Sequence, residues 1–154
     1  MKYAVVTDSP IGLLTLVEED RALCEVRFGE KREGLVLCET PLLKKAVQEL
    51  NEYFSRQRKN FTIPLNPKGT PFQQRCWNAL LQIPYGETRT YGQQAAMIGN
   101  PKASRAVGMG NHCNPLPIFI PCHRVVGANG TLTGYAGGLD IKETLLQIER
   151  MNPT

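Results

Sequence analysis

The sequence predicts an α+β protein with its strands near the N-terminus and its helices beyond the middle of the chain. Three observations carry this. The first thirty residues hold three short runs rich in Val and Leu, separated by turn residues. From residue 70 onward, apolar residues recur at helical spacing. Between the two regions, Pro64-Leu65-Asn66-Pro67-Lys68-Gly69 places two prolines and a glycine in one stretch that continues neither periodicity. The expected organisation is one domain over residues 1–65 and a second over residues 70–154.

Tyr3 to Val6, Gly12 to Val17 and Ala22 to Phe28 read as strands, with Ser9-Pro10-Ile11-Gly12 and Glu18-Glu19-Asp20 as their hairpin connections. Thr40-Pro41 joins an N-cap residue to a proline at the first helical position. Leu42, Leu43, Ala46, Val47, Leu50, Tyr53 and Phe54 follow at helical spacing, predicting a helix to about Ser55. The basic stretch Arg56-Gln57-Arg58-Lys59-Asn60 reads as a solvated turn. Thr70-Pro71 repeats the cap signature, with Phe72, Cys76, Ala79, Leu80 and Ile83 as the apolar face. Thr90 is placed to cap a short helix from Tyr91 to about Ile98. Gly99-Asn100-Pro101 breaks the chain before another short helix, from Lys102 to about Gly110, making a helix-turn-helix candidate near residues 90–110. A last helix is expected from Asp140 through Ile148. Asp140 and Glu143 have capping-box spacing there, and Ile141, Leu145, Leu146 and Ile148 supply a core face.

Composition narrows the function. A 154-residue chain with 42% hydrophobic and 21% charged residues is ordinary for a soluble globular protein. No run of about 18 apolar residues is present, which excludes a membrane-spanning helix. Asp8 and Pro10 soon interrupt the first apolar run, so no secretory leader is expected. Five cysteines, with no CxxC pair, argue against a disulfide framework and suit the reducing cytoplasm. With two scattered histidines, no metal site and no cofactor are expected. The net charge of +4 is compatible with a polyanionic partner.

The segment Ile120-Pro121-Cys122-His123-Arg124-Val125 carries the chemistry. A cysteine beside histidine and arginine sits in a setting that favours thiolate, the nucleophilic form. Cys24, Cys38, Cys76 and Cys113 read instead as small buried hydrophobes. Adjacent residues of an extended chain point to opposite sides, so His123 reaches Cys122 only through a backbone turn or a bridging water. A histidine base needs a third group to fix its tautomer. The acids of the last helix, Glu143 and Glu149, are both candidates.

The segment Asn114 to Val126 closely resembles the active-site region of the O6-alkylguanine-DNA alkyltransferases, also called methylated-DNA–protein-cysteine methyltransferases. Upstream, Ile83-Pro84-Tyr85-Gly86-Glu87-Thr88, Tyr91 and Gly99 to Gly108 resemble the family's DNA-binding region. Downstream, Gly134-Tyr135-Ala136-Gly137-Gly138-Leu139, Lys142-Glu143 and Leu145-Leu146 continue the likeness. It is nearly unbroken from about Pro71 to Glu149, whereas the first 65 residues match in general character only. The fold implied is a small ribonuclease H-like domain followed by a mostly helical domain of the winged helix-turn-helix kind.

The resemblance implies a single-use reaction, in which an alkyl group leaves O6 of guanine, or O4 of thymine as the second candidate, for the sulfur of Cys122. It assigns Glu149 as the carboxylate behind His123 and a water between His123 and Cys122. Tyr91 would serve the leaving base as proton donor, and Asn114 would brace the active-site turn. Because a base inside a duplex is unreachable, the nucleotide must be rotated out. Arg105 matches the arginine that fills the gap. Ser104, Ala106 and Gly108, with Ala103 and Gly110, keep that helix slim enough for the minor groove. Asn100 and Lys102 match backbone contacts, and Val125, Tyr135 and Ala136 match pocket positions. The implied partner is double-stranded DNA carrying O6-alkylguanine, bound by a monomer, with no membrane involved. Two departures stand out: Ala136 and Gly92 occupy positions where some relatives carry serine and glutamine.

Two other readings fit less of the chain. An alkyltransferase-like lesion-binding protein would use the same flipping residues, but those relatives lack the cysteine. A Cys-His acyl hydrolase generally draws its nucleophile and base from distant segments rather than from adjacent positions.

Overall fold

The computed structural model describes residues 1–135 and 137–150. Its contacts divide the chain into two compact units, Met1–Lys68 and Gly69–Thr154.

The first unit is a four-stranded sheet with one helix. The strands are β1 (Tyr3–Thr7), β2 (Leu14–Glu19), β3 (Ala22–Phe28) and β4 (Val36–Leu37), in the order β3-β2-β1-β4. The first three form antiparallel hairpins, while β4 returns parallel to β1. The first turn closes as Gly12 N–H donates to the Ser9 carbonyl at 3.0 Å, with Gly12 at φ +104°. The second was expected at Glu18-Glu19-Asp20, but Glu18 and Glu19 continue β2. The reversal falls on Asp20 and Arg21, both at positive φ, because a two-residue hairpin turn matching the strand twist needs that geometry.

Helix α1 (Pro41–Phe54) packs on this sheet. Thr40 caps it by accepting from Leu43 N–H, and Pro41 opens it. Leu43, Ala46, Leu50 and Tyr53 form its buried face, joined by Glu49. Glu49 accepts from Thr62 N–H at 2.8 Å and has Arg58 at 3.6 Å. Burial raises its pKa, but Thr62 and Arg58 together bring it below the usual carboxylate value. The basic stretch after α1 is thus more than a solvated turn, since Arg58 is also bonded to Glu52 at 2.8 Å.

The second unit holds α2 (Pro71–Leu81), β5 (Arg89–Thr90), α3 (Tyr91–Met97), α4 (Ser104–His112), a 3₁₀ turn (Cys122–Arg124), β6 (Val125–Val126) and α5 (Leu139–Arg150). Strands β5 and β6 pair in parallel, Arg89 with Val125 and Thr90 with Val126. Thr70 with Gln73 and Thr90 with Gln93 both form full capping boxes, which fix the starts of α2 and α3. The three helices lock through polar contacts. Gln94 and Asn111 exchange amide hydrogen bonds at 2.8 and 2.7 Å, and Gln94 also donates to the Cys76 carbonyl at 3.1 Å. Trp77 Nε1 donates to the Gly110 carbonyl at 2.9 Å.

Four further expectations need correction. Helix α4 begins at Ser104, not Lys102, because residues 100–103 close a turn in which Ala103 N–H donates to the Asn100 carbonyl at 3.0 Å. Gly110 does not thin an outer face: a Cβ there would lie 3.0 Å from Cys76 Sγ, so its small size serves the packing of α4 on α2. The capping box at Asp140 does not form, because α5 starts one residue earlier and Asp140 already lies inside its first turn. The cysteines are free; Cys24 and Cys76 are buried as expected, but Cys38 and Cys113 are exposed. Among the described residues, no helix is long and apolar enough to cross a membrane.

Candidate active site

The turn that carries Cys122 is built by local chemistry. Asn114 is buried and uses both ends of its amide. Its Nδ2 donates to the Ile120 carbonyl and its Oδ1 accepts from Leu116 N–H, each at 2.9 Å. This holds Ile118 at φ +77°, which is uncommon for a β-branched residue and needs such support. Pro121, at φ −80° and ψ 66°, forms an inverse γ-turn, and Cys122 N–H donates to the Ile120 carbonyl at 2.8 Å across it. The chain then bends through the 3₁₀ turn, which sends Cys122 to one side and both His123 and Arg124 to the other.

His123 and Arg124 both turn to Glu149. His123 Nε2 lies 2.6 Å from Glu149 Oε2, with both side chains buried. Arg124 donates from Nε to Oε1 at 2.9 Å and from Nη2 to Oε2 at 3.1 Å, a forked pairing. Its Nη1 donates to the Ile83 carbonyl at 2.7 Å, and its guanidinium carbon lies 5.6 Å from the Tyr85 ring centre. Gly86, at φ +82°, aims its N–H at Glu149 Oε1 from 3.4 Å. The Ile83-to-Gly86 segment, read from sequence as part of a DNA-binding region, is therefore the socket for the Arg124–Glu149 pair.

The electrostatics follow from this arrangement. Burial pushes the Glu149 carboxyl up, but His123 and Arg124 outweigh it and bring the pKa to about 2. Burial lowers the pKa of His123 against the opposing pull of Glu149. A neutral imidazole donating Nε2–H to Glu149 leaves Nδ1 as the basic nitrogen. Nδ1 is buried and has no hydrogen-bond partner among the described residues.

Cys122 departs from expectation. Burial raises its pKa, opposed by the Asn114 amide and the Lys142 charge. The neighbouring arginine does not activate it, because Arg124 is committed to Glu149. Burial thus favours the neutral thiol over the thiolate at this position. Sequence reasoning gave no site role to Lys142, which is fully buried on α5 with Nζ donating to the Thr133 carbonyl at 2.7 Å. Its place in the stripe Lys142, Leu145, Glu149 was the available signal.

A cleft of about 80 Å³ opens beside the sulfur. Tyr91, Gly108, Asn111, His112, Asn114, Pro117, Cys122, Gly134 and Tyr135 line it. Asn111 and His112 were not anticipated, and Pro117 and Gly134 stood in the resembling segments without a pocket role. Tyr135 holds its proton well above the usual range, through burial first and then the nearby Cys122 and Glu149. Val125, expected at the pocket, does not line it: it is fully buried and paired with Arg89. Ala136 lies outside the described residues.

The tyrosine ring of Tyr91 faces Gly108. Asn100, Lys102, Arg105 and Ala106 are exposed, and Ser104 and Gly108 are half-buried. The structure thus gathers Cys122, Asn114, Tyr91, Gly108 and Tyr135 around one cleft, with His123 and Glu149 joined to each other. It leaves Asn100, Lys102 and Arg105 on the surface.

Comparison with known proteins gives the family. The ribonuclease-like domain of 6-O-methylguanine DNA methyltransferase matches residues 1–67, and the DNA binding domain of the same family matches residues 71–151. A methylated-DNA–protein-cysteine methyltransferase of Methanosarcina acetivorans is 49% identical over 152 residues, covering 96% of this chain and 97% of that one. The constitutive enzyme of that name from Bacillus subtilis is 48% identical over 161 residues, covering 99% and 98%. The solved O6-methylguanine methyltransferase of Mycobacterium tuberculosis superimposes with a TM-score of 0.93 at 44% identity, covering 100% of this chain and 96% of that one. The OGT of the same organism in complex with DNA gives 0.91 at 46%, covering 97% and 94%. With both domains matched in order and relatives near half-identical over almost their whole length, this chain belongs to the 6-O-methylguanine DNA methyltransferase family.

Proposed function

We propose that this protein repairs DNA directly, moving the alkyl group from O6 of a damaged guanine in duplex DNA to the sulfur of Cys122. The observation that carries this is the cleft holding Cys122 and Tyr91, next to a buried His123–Glu149 pair whose free nitrogen is Nδ1. The thiol proton passes to His123 Nδ1 through a bridging water, and Glu149 stabilises the imidazolium that forms. The sulfur attacks the alkyl carbon, forming the S–C bond as the C–O6 bond breaks. The departing guanine takes one proton, supplied by the Tyr91 phenol. The thioether is stable, so each molecule acts once.

The damaged nucleotide is rotated out of the duplex into the cleft. Arg105 fills the vacated stack. It is exposed at the start of α4 and makes no hydrogen bond or ion pair among the described residues. Asn100 and Lys102 hold the sugar-phosphate backbone, and the small side chains of Ser104, Ala106 and Gly108 let α4 approach the minor groove. Tyr135 forms part of the base pocket. The protein acts as a monomer in the cytoplasm, where its five free cysteines stay reduced. Incubation with a duplex carrying O6-methylguanine, followed by intact-mass measurement, tests the reading. Gain of one methyl group, mapped to Cys122 and lost in Cys122→Ala, is expected; lesion binding with no gain in mass would overturn it.

A further inference from the structure

Thr133 lies in the irregular stretch between β6 and α5, and its side chain is exposed. Two hydrogen bonds tie it to groups of the site. Thr133 Oγ1 donates to Tyr91 Oη at 3.0 Å, and the Thr133 carbonyl accepts from Lys142 Nζ at 2.7 Å. We infer that Thr133 is a positioning residue that sets the Tyr91 hydroxyl for proton donation, with Lys142 anchoring Thr133 from the core. The inference rests on the alkyl-transfer reading above and adds to it a residue outside the cleft lining.

A phenol oxygen carries one hydrogen and two lone pairs. When Thr133 donates to one lone pair, the phenol hydrogen is left to point elsewhere. Tyr91 lines the same cleft as Cys122, so that hydrogen is available where a base must sit to present its alkyl carbon to the sulfur. A phenol that accepts a hydrogen bond is also a stronger donor, because linked hydrogen bonds polarise one another. Protons balance across the step. The thiol proton goes to His123, guanine departs with the proton of Tyr91, and solvent exchange returns one from His123 to the phenol.

An exposed loop threonine would not hold this geometry alone. Lys142 supplies the restraint, because it is fully buried and its ammonium donates to the Thr133 carbonyl. Releasing the loop would strip that buried charge of its acceptor, which is costly. The buried cation therefore keeps Thr133, and through it the Tyr91 hydroxyl, in one place.

The test is the single-turnover rate of methyl transfer from duplex O6-methylguanine to Cys122 in wild type, Thr133→Val, Thr133→Ser, Tyr91→Phe and the Thr133→Val/Tyr91→Phe double variant. Thr133→Val keeps the shape and loses the donor, and should slow transfer roughly three- to tenfold. Thr133→Ser should restore the rate, and Thr133→Val should add nothing once Tyr91 has lost its hydroxyl. Lesion-duplex affinity, measured on a Cys122→Ser background, should not change with Thr133→Val. An undiminished rate in Thr133→Val, a Thr133→Ser variant as slow as Thr133→Val, or slowing that adds to that of Tyr91→Phe would each overturn the inference. Wild-type protein that gains no methyl group would instead overturn the functional reading itself, and this inference with it.

Discussion

The carboxylate of Glu149 lies 2.6 Å from Nε2 of His123, and neither side chain reaches solvent. The same carboxylate neutralises the buried Arg124 through a forked pair. Glu149→Gln should therefore fail twice. It leaves Arg124 as a buried cation without its counter-charge, a change that costs about 3–5 kcal/mol. It also removes the charge that would stabilise a protonated His123. We expect a lower urea midpoint together with slower transfer. A midpoint equal to wild type would contradict the structural half of this account.

Acid should destabilise the fold in two overlapping stages. His123 has a lowered pKa in the folded state, so on acidification below its ordinary value of 6.5 the unfolded chain takes up the proton first. Glu149 has its pKa lowered from 4.5 to about 2, so its contribution is present above 4.5 and lost as pH falls toward 2. In both cases the unfolded state binds more protons, and stability falls with pH. Thermal melts of wild type and His123→Gln over this range check the order. The first stage should vanish in the variant, and a wild-type curve flat down to about pH 5 would refute the role given to His123.

Asn114 holds the Cys122 turn from both ends of its amide. Asn114→Ala leaves the Ile120 carbonyl and Leu116 N–H buried without these partners, a cost of about 1–3 kcal/mol. It also withdraws a group that favours the Cys122 thiolate. Denaturant unfolding should show the stability loss, and intact-mass kinetics should show slower transfer even where the variant is fully folded. A folded variant transferring at the wild-type rate would rule out the second effect.

The charge of Lys142 offsets part of the burial cost of the Cys122 thiolate. Lys142→Met keeps much of the side-chain volume and removes the charge. The alkaline rise of the pH–rate profile should move to higher pH, with transfer at neutral pH slowed severalfold. Burial lowers the pKa of Lys142 itself, so this variant should lose little stability. A profile that superimposes on wild type would dismiss the electrostatic role.

Arg105→Ala should slow transfer on duplex DNA on the order of tenfold or more, while sparing transfer from free O6-benzylguanine. The free base needs no extraction from a stack. Equal slowing on both substrates would remove Arg105 from the flipping step.

Much of the fold was legible because its signals are local. Thr40-Pro41, Thr70-Pro71 and Thr90 announce helix starts through bonds that reach three residues along the chain. The misplaced features show where local reading fails. The Glu18-Glu19-Asp20 cluster looks like a turn by polarity, yet the hairpin needed two positive φ angles, and these fell at Asp20 and Arg21. Asp140 and Glu143 have the right spacing for a capping box, but the frame of α5 places Asp140 inside the helix. Lys142 entered the sequence reading only as part of the family likeness and without a site role, because a lysine in a helix is ordinarily read as exposed.

The sequence by itself determined the strand and helix runs, the cap residues, the Pro-Cys-His-Arg segment and, through its ordered motifs, the family. Each of these depends on residue types within a few positions, and such information survives in a linear string. The tertiary structure alone decided that Arg124 serves Glu149 rather than Cys122, and that Ile83 to Gly86 is their socket. It also buries Cys122 deeply enough to raise its pKa, against the thiolate that its sequence neighbours suggest. Those outcomes turn on burial and on distances between residues 25 to 63 positions apart. Electrostatic energy follows depth and separation in space, which only the packed chain possesses.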